Sequence, residues 1–221
     1  MILIQFQKIM MNNSKITFDQ TFVVENKMKN YSFPLCYRYL EQKGKELYGS
    51  SFTIKNEHLL AIQKVLTYAV QDEKNSDKLG LDLKKGLFII GPEGCGKSAI
   101  MHLCKPYFGK RGAFDFKSCK TISFEYARSG FEALHPYLHP SSKYTPQKTY
   151  CYDDFGSENI QKHFGNECNV MKEIMSIQYE DYIEKGYFSH IISQLTPSDI
   201  EQKYGLKMRN QLRTMYNLIN F

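Results

Sequence analysis

Gly91-Pro92-Glu93-Gly94-Cys95-Gly96-Lys97-Ser98 is the stretch that decides the reading of this chain. It fits G-x-x-x-x-G-K-[ST], the phosphate-binding P-loop. A loop wrapped around a polyphosphate needs backbone angles and close approaches that a Cβ would forbid, which is why glycines recur in it. Its N–H groups converge into an anion nest. Lys97 brings a mobile positive charge for the β- and γ-phosphates, and Ser98 brings a hydroxyl for Mg2+. The helix that follows presents its positive N-terminus to the same anion. The phosphate-binding set is therefore Gly91, Pro92, Glu93, Gly94, Cys95, Gly96, Lys97, Ser98 and Ala99.

Average residue usage produces the bare pattern in about one chain per hundred of this length, so its surroundings decide. Gly86-Leu87-Phe88-Ile89-Ile90 is a short apolar run that ends at the loop, as a buried parallel strand does. Ala99 to Cys104 continues as a helix, closed by Pro106. Strand, loop and helix stand in the required order.

A second anchor lies about 55 residues further on, in Thr149-Tyr150-Cys151-Tyr152-Asp153-Asp154-Phe155-Gly156. A strand-like run ends there in two carboxylates, as in a Walker B element. Asp153 would hold Mg2+, directly or through water, and Asp154 would orient or deprotonate the attacking water. Many related ATPases use Glu at the second position. Asp is one methylene shorter, so the water must sit closer or another group must help; Glu158 is an alternative. Between the two anchors, Thr121-Ile122-Ser123-Phe124 reads as a strand and Glu125 to Leu134 as a helix. That strand predicts a sheet in which the P-loop and Walker B strands are separated by another, as in oligomeric motor-like ATPases. Phe188 to Ser193 reads as the next buried strand, with Gln194 at its C-terminal end. Ligands bind at that edge of open α/β sheets, so Gln194 can sense the γ-phosphate or the attacking water; a plain turn into Pro197 remains open.

The rest of the chain sets bounds. With 221 residues, 42% hydrophobic and 24% charged, it has material for one sizeable α/β core. No apolar run approaches membrane-spanning length, and Met1 to Lys8 lacks the basic front of a signal peptide, so no membrane partner and a cytoplasmic location are expected. None of the six cysteines has C-x-x-C spacing, which argues against zinc and dithiol chemistry. The net charge of +6 permits nucleic-acid contact without requiring it. Lys105 to Lys120 mixes basic residues with aromatics in a way that can hold single-stranded nucleic acid; a solvated loop with its aromatics turned inward is the favoured reading. Asn56 reads as an N-cap of a helix running to Gln71, Asp72 to Lys78 as a loop, and His135 to Lys148 as a turn region and polar loop. Gly165 to Lys185 reads as mostly helical. Ser198 to Tyr204 and Leu206 to Tyr216 read as helices, followed by a final strand from Leu218. Lys203, Lys207, Arg209 and Arg213 concentrate positive charge there; such charges on a terminal helix are usually solvated, and in an ATPase they can instead reach a phosphate in their own or a neighbouring subunit's site.

Together these stretches resemble the AAA+ ATPases of the DnaC/DnaI helicase-loader group, and most of all the short DnaC-like ATP-binding proteins of Bacteroides-type bacteria and their mobile elements. Gly86 to Ser98, Tyr150 to Glu158, Lys162 to Met171, and Tyr204-Gly205 through Phe221 carry the resemblance. It implies an α/β fold, a P-loop NTPase core of AAA+/ASCE type at residues 56–221. That core has a central parallel sheet flanked by helices and no full C-terminal lid domain. Residues 1–55 would be an N-terminal extension, either partner-docking or simply packing. ATP and Mg2+ are implied as cofactors. A replicative helicase or other DNA-bound machine, single-stranded DNA, and further copies of the chain in a nucleotide-dependent oligomer are implied as partners. Three positions depart from the family pattern: Gln194 stands where the sensor is usually Asn, and Lys207 and Gln211 stand where the tail usually has Arg. Lys lacks the planar fork of Arg and Gln lacks charge, so nucleotide binding with weak or conditional hydrolysis is expected.

Overall fold

The computed structural model describes residues 14–109, 112–138 and 148–221. The readings of Met1–Lys8, of Lys110 and Arg111, and of the polar loop at 139–147 fall outside those residues. A small hairpin of β1 (Phe22–Glu25) and β2 (Met28–Tyr31) precedes helix α1 (Phe33–Tyr48). Then come α2 (Leu59–Ala69), α3 (Glu73–Leu79), β3 (Gly86–Ile90), α4 (Lys97–Cys104), β4 (Phe114–Ser118), α5 (Cys119–Ser129) and α6 (His135–Leu138). The second half holds β5 (Thr149–Phe155), a hairpin of β6 (Gln161–His163) and β7 (Asn166–Cys168), α7 (Val170–Lys185), β8 (His190–Ser193), α8 (Pro197–Tyr204), α9 (Leu206–Met215) and β9 (Tyr216–Asn220).

Five strands make one parallel sheet in the order β4-β5-β8-β3-β9. The P-loop strand β3 and the Walker B strand β5 are therefore separated, as expected. The strand between them is β8, not the one that lies between them in sequence, which takes the edge.

Side-chain alternation along a strand splits the core across the two sheet faces. Leu87 and Ile89 join Cys151, Ile192 and Ile219 beneath α1, α2 and α4. Phe88 and Ile90 join Tyr150, Tyr152 and Ile191 beneath α5, α7, α8 and α9. Helix α1 buries Cys36, Tyr37 and Leu40 in the same cluster as Ile100 and Met101 of α4. On the other face a polar network is fully buried. Gln178 donates to the Tyr137 carbonyl (3.1 Å) and Tyr152 Oη (2.6 Å) and accepts from Ser189 Oγ (2.9 Å), which also bonds Tyr216 Oη (2.6 Å). Because each member is paired, the network fixes α7, β5, β8 and β9 in one arrangement instead of costing stability.

Four local expectations need correction. Asp72 to Lys78 is not a loop: Asp72 caps α3 by accepting from Asn75 N–H at 3.0 Å. Thr121 to Phe124 is helical, within α5, and the strand lies earlier at Phe114–Ser118. His135-Pro136 opens the short helix α6, where a proline in the first turn forfeits no hydrogen bond. Asn56 begins a 3-10 turn, Asn56–His58, and makes no side-chain cap; its carbonyl accepts from Leu59 N–H.

Candidate nucleotide site

The P-loop leaves β3 and enters α4 at the C-terminal edge of the sheet. Gly94 (φ 72°) and Gly96 (φ 99°) take left-handed angles, and no atom lies within 4 Å of where their Cβ atoms would be. A concave, open backbone turn of this kind is the cradle that a polyphosphate requires. Lys97 is 7% exposed, and its Nζ donates to the carbonyls of Gly91 and Pro92, each at 2.7 Å, with Cys95 Sγ at 3.6 Å. The ammonium thus lies folded back over the loop it serves. Pro92, Glu93 and Gly94 are exposed, while Ala99 lies half-buried in the first turn of α4. Beside the loop is a cavity of about 410 Å3 lined by Lys55, Glu57, His58, Pro92 to Cys95 and Phe221.

The end of β5 comes to the same place. Ser98 Oγ donates to Asp153 Oδ1 at 2.8 Å, joining residues 55 positions apart. Burial raises the Asp153 carboxyl above the usual carboxylate range; the Ser98 hydrogen bond opposes this shift, and the Asp154 charge adds to it. A cation at this spot would relieve that penalty. Among the described residues no cluster of three His, Cys, Asp or Glu side chains forms a self-sufficient metal cage. The Ser98–Asp153 oxygen pair nevertheless fits Mg2+, which takes one or two protein oxygens and fills its octahedron from phosphates and water.

Asp154 is exposed, and its φ of 58° puts it in the left-handed region, uncommon for a residue with a side chain. A tight turn holds it there: its carbonyl accepts from Ser157 N–H (3.0 Å) and Ser157 Oγ (2.7 Å). Gln194 is exposed and lines a cavity of about 90 Å3 with Asp154 to Ser157 and Leu195. The structure therefore brings the two together with room for water between them. Glu158 is 3% exposed and its carboxylate is engaged inside the protein, by Gly156 N–H (2.8 Å) and Tyr204 Oη. That removes it as an alternative to Asp154.

The basic residues of α9 stand apart from the loop. Lys207 is exposed in the first turn of α9. Arg209 pairs with Glu201. With Arg213 it lines a 350 Å3 cavity against Phe88, Ile200, Leu212 and Tyr216, none of them P-loop residues. Gln211 points inward, 8% exposed, with its side-chain oxygen unpaired among the described residues.

Sequence reasoning missed His102. One helical turn after Ser98, it shares that face of α4 and stacks on Phe116 (3.6 Å between centroids, 14° between planes). Burial lowers its pKa, and the nearby Asp153 charge opposes the shift. The i, i+4 spacing from Ser98 was the available signal. Lys203, one of the basic residues expected to reach a phosphate, instead donates from Nζ to the carbonyls of Gly156 and Glu158.

No protein-family model and no curated protein matches the chain. Solved structures do match. A chain from Streptococcus pyogenes serotype M3, described as a primosome component, aligns with a TM-score of 0.55 at 14% identity, over 85% of this chain and 88% of its own. The DnaC helicase loader aligns at 0.52 and 16% identity, over 77% and 94%. DnaI aligns at 0.51 and 14% identity, over 77% and 88%. At such identities the likeness is one of fold: five parallel strands flanked by helices.

Proposed function

We propose that this chain is a Mg2+-ATP-binding AAA+ ATPase acting in DNA replication as a helicase-loader-like factor, in the setting of a mobile element of Bacteroides-type bacteria. The observation that carries the reading is the 2.8 Å contact between Ser98 Oγ and Asp153 Oδ1 beneath an open P-loop. In it Gly91 to Ala99 cradle the phosphates, Lys97 swings from the loop carbonyls to the β- and γ-phosphates, and Ser98 and Asp153 hold Mg2+. The metal, when bound, neutralises phosphate charge. Asp154 orients or deprotonates the attacking water, with Gln194 across the small cavity as sensor. The partner is a replicative helicase or another DNA-bound machine. Hairpin β1–β2 supports a docking role for the N-terminal extension, since Val23, Val24 and Met28 are 62%, 60% and 66% exposed. Single-stranded DNA and further copies of the chain in a nucleotide-dependent oligomer complete the partners.

A second reading is favoured by α9. Gln211 is buried, Arg209 is engaged by Glu201, and Lys207 lacks the planar fork that a trans arginine offers. On that reading the protein binds ATP, assembles on or recruits a partner, and hydrolyses weakly or only with help; a transposition-regulator ATPase is a separate alternative, marked by ATP-dependent filament formation on duplex DNA.

The deciding experiment measures binding of a labelled nucleotide beside ATP turnover, with and without single-stranded DNA, for the natural protein and Lys97→Ala. Turnover stimulated by DNA and lost in Lys97→Ala supports the loader-like ATPase. Tight binding with no turnover supports the assembly protein. Absence of Mg2+-ATP binding refutes both.

A further inference from the structure

Asp154 is held by a clasp built from a distant part of the chain. The turn after β5 runs through Gly156 (φ 94°), where Leu195 Cδ1 stands 2.3 Å from the position a Cβ would take. Glu158 closes this turn from within, with Gly156 N–H on one carboxylate oxygen and Tyr204 Oη on the other. Tyr204 lies at the end of α8, 46 residues away, and its ring stacks on Phe155 (5.0 Å, 26°). Its neighbour Lys203 donates to the carbonyls of Gly156 and Glu158. On the opposite side Ser193 Oγ donates to the Phe155 carbonyl at 2.6 Å and accepts from Leu195 N–H at 3.0 Å. The segment that carries Asp154 is thus gripped between the end of β8 and the end of α8. Gly205 follows at once, and then α9 with Lys207, Arg209 and Arg213.

A buried carboxylate is costly unless its oxygens are bonded. Ser193, Lys203 and Tyr204, all remote in sequence from the phosphate loop, spend their polar atoms on one five-residue turn. That turn has a single exposed acid, Asp154, in a backbone conformation that needs external support.

We propose that Glu158 and Tyr204 are positioning residues: they fix Asp154 to orient the water that attacks the γ-phosphate and mechanically join its loop to the α8–α9 pair. A contact made on the basic face of α9, by a neighbouring subunit or partner, then moves Asp154 through Lys203 and Tyr204 without touching the P-loop. The inference rests on the ATPase reading for its catalytic consequence, but the clasp itself exists whether or not ATP is turned over.

Tyr204→Phe keeps the ring on Phe155 and deletes only the hydroxyl. Glu158→Gln keeps an acceptor for one of the two donors and removes the charge, and serves if the first variant folds poorly. Amide hydrogen exchange across residues 150–160 of the nucleotide-free protein is read first. Both variants raise exchange in this segment about tenfold, the worth of one hydrogen bond to a charged group, and leave the segment from Gly86 to Ser98 within about twofold of the parent. Labelled-nucleotide affinity then stays within about twofold, while kcat falls about tenfold at unchanged KM. In an Asp154→Asn background, Tyr204→Phe causes no further fall in kcat. A purely structural role would slow the enzyme equally in both backgrounds or weaken nucleotide binding, and either result overturns the proposal. Unchanged exchange at 150–160 in both variants also overturns it, even in a protein that never turns ATP over. Failure of the parent to bind Mg2+-ATP would refute the ATPase reading and leave the exchange result to decide the clasp.

Discussion

Titrating the protein from about pH 7.5 to about pH 5 tests how the strand that delivers Gln194 is held. His190 begins β8 and is fully buried among the rings of Tyr68, Phe108, Phe114 and Phe188. Its Nδ1 accepts from Leu87 N–H at 3.1 Å, so the ring proton sits on Nε2, which has no hydrogen-bond partner among the described residues. Burial alone pushes its pKa down to about 3. In the unfolded chain the same group titrates near about 6.5. Below that value the unfolded chain takes up a proton that the folded one refuses. The contribution of a neutral His190 is therefore fully present above pH ~6.5 and is lost as pH falls toward the folded value, at about 1.4 kcal/mol per unit. By pH ~5 the loss is about 2 kcal/mol, a figure that requires only that the folded pKa lie below about 4. The assay is urea unfolding followed by circular dichroism, since the chain has no Trp. His190→Asn is the reference: Asn Oδ1 can still accept from Leu87 N–H, and the group no longer titrates. It loses about 1–3 kcal/mol at every pH from the smaller, imperfectly packed side chain. The remaining histidines and the carboxylates titrate in both proteins and cancel. The natural protein loses about 2 kcal/mol more than the variant between the two pH values; parallel curves would refute the reasoning.

Four further outcomes are expected. On the proposed mechanism Asp154→Asn lowers turnover about 100-fold while labelled-nucleotide affinity stays within about twofold, because there the side chain would act on the water and not on the phosphates. Gly156→Ala costs about 1–3 kcal/mol, seen as a Tm drop of about 2–4 °C per kcal/mol, because its Cβ collides with Leu195 in a left-handed turn. Lys207→Arg raises assembled-state turnover about tenfold by restoring a planar fork on an exposed position, whereas Gln211→Arg lowers Tm because it forces a charge into a buried site.

How far the chain could be read depended on whether the signal was local. Gly86 to Ile90 is buried at every position, so its apolar run could be nothing but an interior strand. The edge strand β4 is buried fully only at Phe114, and its Phe-Asp-Phe-Lys alternation was masked by the glycines and lysines around it. The β-branched Thr121-Ile122 then drew the strand assignment, although Cys119, Ile122, Ser123 and Tyr126 are buried at helical spacing. Helix α3 buries only Ser76 and so shows no apolar period; only its Asp72 cap betrayed it. The site divides in the same way. Lys97, Ser98, Asp153 and Asp154 could be nominated because phosphate and metal chemistry would fix their types within short windows, and the fold brings Ser98 and Asp153 into contact. The Glu158–Tyr204 clasp was not, because an acid and a tyrosine 46 residues apart carry no pattern until a fold brings them together. Such contacts set where Asp154 points. A short motif can therefore nominate candidate phosphate-binding groups from sequence, while the pairings that hold the neighbouring turn emerge only in the folded structure.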